Sequence, residues 1–398
     1  MKILFLTLSY SEDNRISSYE EILQEFVRNG NDVYVACASE KRKGKNTYLA
    51  VERNINVLRI RTGNITGNKN IIEKGIATLN VEHIFKRAIK KYYANIEFDL
   101  VVYPTPPITL ANVVRFLKKN KNTKTYLLLK DIFPQNAVDL GILSKSGFTA
   151  PIYNIFRKKE KLLYKYSDYI GCMSPANVEY LLKHNLSISY DDVEVCPNCI
   201  SPTIANKDIT IRQKYNIPED KTVFVYGGNL GRPQGIPFVM ECLEKCKNIQ
   251  NAFFLIIGGG SEAEKLREFI KIKKIFNAKY IESLPKEEYE KVANSCDVGL
   301  IFLDYRFTIP NFPSRILSYM NGSMPVIVST DLVTDMGDIV EKNGFGWKCA
   351  SNDSDEFVNC VYKALNADLY NMGLESRHYL ENNYDVTNAY RIINKHFI

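Results

Sequence analysis

Residues 222–235 read Thr-Val-Phe-Val-Tyr-Gly-Gly-Asn-Leu-Gly-Arg-Pro-Gln-Gly. Thr222–Tyr226 is a β-branched and aromatic run, as a buried strand requires, and it ends in two glycines. Glycines let backbone amides approach a ligand closely, and a helix that follows offers its N-terminus to an anion. Asn229 and Arg232 are then placed to meet phosphate oxygens. The alternative is a glycine-rich turn with a surface arginine. A second strand, Phe253–Ile257, ends the same way in Gly258-Gly259-Gly260-Ser261. That turn lacks the G-x-G-x-x-G spacing, and no Walker lysine follows it. Its value is positional, because it closes a strand beside the first loop. Val298–Phe302 and Pro325–Val328 complete a set of strands separated by helical patterns.

The same alternation runs through the front of the chain. Lys2–Leu8, Val33–Cys37, Ile55–Arg61, Leu100–Tyr103, Thr125–Leu129 and Tyr169–Met173 read as strands. Tyr19–Arg28 has helical spacing and stops at Gly30, His83–Tyr93 reads as a helix, and Ser174 opens another. Strands alternating with helices mean parallel βαβ units with right-handed crossovers. The stretch 206–218 is polar with a helical pattern and reads as a linker. The expected architecture is α/β, with two doubly wound Rossmann-like domains facing a cleft, over 1–204 and 205–383. A helix at about 384–398 is expected to pack back on the first domain. Ligands of such sheets bind outside the carboxyl ends of the strands.

Length and charge agree with two domains. The chain has 398 residues and a net charge of +7, of which residues 1–200 carry +9 and residues 201–398 carry −2. A basic front and a near-neutral back suit different partners. Apolar residues at 45% and charged residues at 24% exclude a disordered chain, a coiled coil and a collagen. No apolar run reaches the roughly 18 residues of a membrane span. Met1–Tyr10 lacks a small-residue cleavage site, so it reads as a first strand and the protein as cytoplasmic. Nine scattered cysteines read as reduced, buried thiols. Cys196 and Cys199 form one C-x-x-C without a second, so no metal site is expected.

Two further stretches carry candidate chemistry. In Pro310-Asn311-Phe312-Pro313-Ser314-Arg315-Ile316-Leu317-Ser318-Tyr319-Met320, Ser314 reads as an N-cap. The amides of Ser314, Arg315 and Ile316 would then be free at a helix start, and Arg315 would add a fork suited to phosphate. Leu129-Lys130-Asp131-Ile132-Phe133-Pro134 puts a charged pair at a strand's carboxyl end, either self-paired or facing the cleft. Two stretches, 84–93 and 155–166, mix bases with aromatics and suit an anionic membrane surface or an ordinary solvated face. No nucleic-acid motif accompanies the charge, so no nucleic-acid partner is expected.

Taken together, the motifs resemble the family 4 glycosyltransferases of GT-B fold, along essentially the whole chain. The resemblance is nearest to the capsule and O-antigen branch of N-acetyl-L-fucosamine-transferase-like proteins. Tyr226–Gly235 is similar to that branch's glycine-asparagine-leucine-glycine loop, and Ile257–Gly260 to the family's strand-end turn. Phe312–Ile327 is similar to its proline-serine-lysine to proline-valine-isoleucine segment. Val195–Asn198 resembles the hinge and Lys130–Pro134 the front-domain aspartate motif. The departures are specific. The family's two glutamates fall on Pro310 and Ser318, and its first-loop arginine and lysine on Asn229 and Gln234. The glycine pair after the first strand is absent, with Ser9, Tyr10 and Ser17 in that region, and Cys199 replaces the hinge glycine.

The resemblance implies transfer from a nucleotide-sugar, UDP-linked, to a hydroxyl of a lipid-linked saccharide, with retention and without metal or other cofactor. It assigns donor binding to Gly228, Asn229, Gln234, Gly259, Ser314, Arg315, Ile316 and Ser318. Arg232 joins Arg315 in stabilising the departing diphosphate, and Asp131 orients the acceptor or donor sugar. The alternatives are a non-catalytic GT-B subunit supporting a partner transferase and a GT-B sugar-nucleotide epimerase. Four histidines in the whole chain speak against the second.

Overall fold

The computed structural model describes residues 1–12, 18–65, 71–120, 122–204 and 207–397, with the backbone alone at 18 and 71–79. Ser17 lies outside them. The chain divides into two units, Met1–Cys199 with Val386–Ile398, and Ile200–Asp385.

Unit 1 runs β1 (Lys2–Thr7), α1 (Ser18–Arg28), β2 (Asp32–Glu40), β3 (Tyr48–Glu52), β4 (Ile55–Thr62), α2 (Ile71–Tyr92), β5 (Leu100–Thr105) and α3 (Ala111–Leu117). It continues with β6 (Lys124–Leu129), α4 (Gln135–Asp139), α5 (Ala150–Lys165), β7 (Tyr169–Cys172), α6 (Pro175–His184) and β8 (Val193–Val195). Its sheet has the order β3-β4-β2-β1-β5-β6-β7-β8, parallel except for β3 against β4. The interior strands are nearly continuous apolar runs, as burial on both faces demands. One fully buried guanidinium, Arg59 on β4, is answered by Glu52 and by the carbonyls of Tyr10 and Ser11. It ties down the segment that leaves β1.

Unit 2 runs α7 (Thr210–Lys214), β9 (Thr222–Gly227), α8 (Ile236–Cys246), β10 (Ala252–Ile257), α9 (Ala263–Ile272), β11 (Ala278–Ile281), α10 (Lys286–Asn294) and β12 (Val298–Phe302). Then come α11 (Arg315–Asn321), β13 (Val326–Thr330), α12 (Met336–Lys342), β14 (Gly346–Ala350), α13 (Ser354–Leu365) and α14 (Leu369–Asn383). All strands are parallel in the order β11-β10-β9-β12-β13-β14. The order reverses between β9 and β12, so the glycines ending β9 sit at the topological switch point.

The polar stretch read as a linker contains α7, which belongs to unit 2. Arg212 is buried there and donates to the Ser295 carbonyl and to Asp297. The last helix, α15 (Val386–Asn394), returns to unit 1 and packs on α1, with Tyr390 edge-on to Phe26. Behind it, His396 stacks on Tyr169 and meets Glu194 at 2.8 Å.

Candidate active site

The strand-end glycines of unit 2 are braced against each other. The Gly228 amide donates to the Ile257 carbonyl at 2.7 Å, and the Leu230 amide to the Gly259 carbonyl at 2.8 Å. Gly228 has φ +136°, a region L side chains avoid. A Cβ on it would also overlap Arg315 Nη2. The α11 guanidinium therefore lies directly against the first glycine loop. It sits over the Tyr226 ring, 4.4 Å from the centroid. Burial alone would pull its pKa down, but the phenols of Tyr226, Tyr319 and Tyr289 outweigh that and raise it. Tyr319 also accepts from the Gly227 amide at 3.1 Å. Among the described residues no carboxylate pairs with Arg315, so its charge is answered by the Tyr226 ring and by the three phenols.

The other expected donor residues differ in role. Asn229 Nδ2 donates to Gln234 Oε1 at 2.9 Å, and the Gly231 amide donates to the same oxygen at 3.1 Å. Asn229 and Gln234 therefore brace the loop through each other, with the Tyr226 hydroxyl donating to the Asn229 carbonyl at 2.6 Å. Arg232 is exposed on the same loop and pairs with nothing among the described residues. Gly259 is exposed, and a Cβ on it would meet only the Glu282 carbonyl oxygen, at 3.9 Å. Ser318 lies one turn after Arg315, half-buried, and its hydroxyl has no partner among the described residues.

Two expectations about the start of α11 are corrected. Ser314 occupies the cap position but is itself helical (φ −62°, ψ −13°), and its side chain makes no capping bond. The Ile316 amide is not free: it closes a tight turn onto the Pro313 carbonyl at 3.3 Å. The helix is seven residues long. Positive charge at this end comes from the Arg315 side chain rather than from a row of open amides. Tyr289, on α10, was not singled out from the sequence. Nothing local marks it, since its place beside Gly227 is a contact across the fold.

Asp131 lies in unit 1 at the carboxyl end of β6. Lys130 does not pair with it; its ammonium donates to the Cys196 carbonyl at 2.9 Å. Burial lowers the Lys130 pKa. The Asp131 carboxylate instead accepts from Asn136 Nδ2, 2.8 Å to each oxygen. Burial raises its pKa to about 6, against the lowering effect of the Ile132 amide and Asn136. A group with a raised pKa is protonated below about pH 6 and ionised above it. If the ionised form works, kcat/KM should rise with pH through about 6 and level off. In Asp131→Asn that limb should vanish along with most of the activity. A variant that keeps the limb would assign it to another group.

The two basic stretches also separate. In 155–166, Arg157 pairs with Glu160 and donates to Asn185, and Lys159 pairs with Glu82, so much of that charge is spent within unit 1. In 84–93 the bases remain outside any ion pair among the described residues. Cys196 and Cys199 are buried free thiols. Among the described residues, no helix is long and apolar enough to cross a membrane.

Residues 207–385, nearly all of unit 2, match the model of the glycosyl transferases group 1. A probable glycosyltransferase, WbjE of Pseudomonas aeruginosa, is 26% identical over 324 residues, covering 80% of this chain and 78% of the relative. The chain has the GT-B fold, and its second unit is similar to the group 1 glycosyl transferases. A second relative is the putative colanic acid biosynthesis glycosyl transferase WcaI of Escherichia coli K12, 20% identical over 74% of this chain and 72% of that one. Among solved structures, a sucrose-phosphate synthase of Thermosynechococcus elongatus aligns over 100% of this chain and 98% of its own, with a TM-score of 0.78 and 14% identity. The HepE protein of Anabaena, in complex with UDP and glucose, aligns over 100% and 99% with a TM-score of 0.72 and 14% identity. These two likenesses establish the fold.

Proposed function

We propose that the protein moves a sugar from a UDP-linked donor to a hydroxyl of a lipid-linked saccharide, with retention, in capsule, O-antigen or exopolysaccharide synthesis. The N-acetyl-L-fucosamine-transferase-like branch is the part of the family to which we assign it. The observation that carries this reading is Arg315: a half-buried cation beside three tyrosines, without a carboxylate, against a glycine loop at the switch point of unit 2. Such a cation lacks only an anion, and a diphosphate has the charge and the oxygens to fill that role. The printed names of the relatives lend support, since WcaI is described as a colanic acid enzyme and HepE is seen with UDP.

In this reading Arg315 and the exposed Arg232 stabilise the charge that builds on the departing diphosphate, and they do so from fixed positions. The loop braced by Asn229 and Gln234 holds Arg232 in place. The diphosphate helps to take the acceptor proton, so no protein nucleophile is required and no metal is called for. Asp131 orients the acceptor or donor sugar from unit 1. A lipid-borne acceptor places the protein peripherally at the inner face of the cell membrane, on an anionic surface.

A second reading, a non-catalytic subunit, is favoured by Ser318 and Pro310, which stand where the family carries glutamates. One experiment separates the two. UDP binding is measured by calorimetry, then UDP-sugar turnover is followed with and without cell membranes. Binding with turnover supports the transferase, and binding without turnover supports the subunit. No UDP binding overturns both.

A further inference from the structure

Unit 1 holds a concentration of charge that the donor site does not use. A groove of about 480 Å³ opens between α2 and α3, with Lys86, Arg87 and Lys90 on one wall and Arg115, Phe116 and Lys119 on the other. The spacing repeats: 83, 86, 87, 90 on α2, and 112, 115, 116, 119 along α3 and the turn after it, each one helix face. Among the described residues none of the five cations pairs with a carboxylate. The nearest acid on α2, Glu82, is already committed. It accepts from the Asn112 amide at 2.8 Å and from Asn112 Nδ2 at 2.9 Å, and it pairs with Lys159. The groove is therefore positive throughout. Aromatic rings carry two of its cations, with Lys90 Nζ 5.2 Å from the Phe116 centroid and Arg115 6.0 Å from that of Tyr166.

Like charges gathered without counter-charges repel one another, and the arrangement is stabilised when an anion enters. The groove is also removed from the strand ends that carry Asp131. Its residues occupy the second half of α2 and the end of α3, which lead into the amino ends of β5 and β6. The anion is therefore not the donor diphosphate assigned to unit 2.

What lies beside the groove identifies the anion's source. α5 packs on α3. Ile152 and Ile155 are about half exposed on α5, and Phe148, four residues ahead of Ile152, is wholly exposed. Four residues beyond Ile155, Lys159 reaches Glu82 at the head of the groove. An apolar run thus leads into a cationic groove, the pairing of an interfacial surface, with bases for headgroups and apolar side chains for the layer below.

We propose that the α2–α3 groove binds the phosphate headgroups of anionic phospholipid, with Phe148, Ile152 and Ile155 entering the apolar layer beside it. The inference rests on the reading that the acceptor is lipid-borne. It goes beyond that reading by giving the membrane contact a defined place.

The test uses the full chain in flotation with vesicles of phosphatidylglycerol and phosphatidylcholine, against phosphatidylcholine alone, over a salt series. Wild type should float with the acidic vesicles, and less as salt rises. The triple variant Lys90→Ser, Arg115→Ser, Lys119→Ser should bind about a hundredfold more weakly, at roughly 1 kcal/mol per base. A charge-matched control on exposed bases of unit 2, Lys247→Ser, Lys271→Ser, Lys274→Ser, should retain binding within about twofold. Phe148→Ser should leave a residual attachment that salt removes more readily. Equal loss in both triple variants, or equal flotation on neutral vesicles, overturns the proposal. So does calorimetric binding of inorganic phosphate in the groove without vesicle binding, since that marks a site for a free anion. UDP affinity, measured on the same proteins, should be unchanged by the groove variant. A wild type that floats but binds no UDP would sink the transferase reading and leave the groove standing.

Discussion

Arg315→Ala should lower UDP affinity about 10- to 100-fold, a loss of roughly 1.5–3 kcal/mol, the scale of hydrogen bonds to a charged group. Turnover should fall by at least as much, because charge on the diphosphate is greatest as the sugar leaves. The guanidinium has no carboxylate partner among the described residues that would compete for it. It lies over the Tyr226 ring, and its Nη2 lies where Gly228 leaves room. Arg315→Lys separates charge from shape. The ammonium keeps the charge but loses the fork and the stacking on Tyr226, so its affinity should fall between the other two. Calorimetry on folded Arg315→Ala with unchanged UDP affinity would remove Arg315 from the donor site.

The fold was legible where strands lie inside a sheet. Thr222–Tyr226 or Thr125–Leu129 cannot be other than buried strands, because both faces are covered and every side chain is apolar or small. The strands missed from the sequence are β3, β8, β11 and β14, and each forms an edge of its sheet. An edge strand has one free side and often one wet face, so its composition approaches that of a loop. Ala278–Ile281, with a lysine among four half-buried residues, shows the effect. The stretch 206–218 misleads for the opposite reason. Arg212 reads as solvent-facing, yet its charge is buried against Asp297 and a carbonyl of a remote segment.

The site was legible in its ingredients and not in its contacts. The glycine loop and Arg315 each carry a local signal, but nothing local says that Gly228 is a glycine partly because Arg315 passes over it. Asn229 and Gln234 look alike as potential ligands of phosphate. Their bond to each other depends on a 3₁₀ turn at Arg232–Gln234, which the proline beside Arg232 favours. Ile316 illustrates a limit of capping arguments, because a serine ahead of a helix does not guarantee that the first amides stay open. The basic stretches show the same limit for charge. Arg157 and Arg87 would score alike by composition, yet one is paired and the other is not among the described residues.

Gly258→Ala should destabilise unit 2 by more than about 3 kcal/mol, whereas Gly259→Ala should change stability by well under about 1 kcal/mol. The neighbours differ in backbone conformation and in what surrounds them. Gly258 has φ +150°, and a Cβ on it would overlap the carbonyl oxygen of Gly228 and lie 2.7 Å from its carbonyl carbon. Those are backbone atoms, anchored by the Gly228 amide's bond to Ile257, and no side-chain rotation relieves the clash. The Gly258 amide also donates to the Ile281 carbonyl at 2.9 Å, so displacing it disturbs β10 against β11. A Cβ on Gly259 would come no closer than 3.9 Å to the Glu282 carbonyl oxygen. Denaturant unfolding distinguishes the two, and UDP calorimetry adds a second axis. Gly259→Ala is expected to keep its stability and yet weaken UDP, because an exposed, uncrowded glycine at a strand end is where a bound donor would need the backbone bare. If Gly259→Ala binds UDP as wild type does, the donor does not approach this turn, and binding is confined to the Gly228 loop and Arg315.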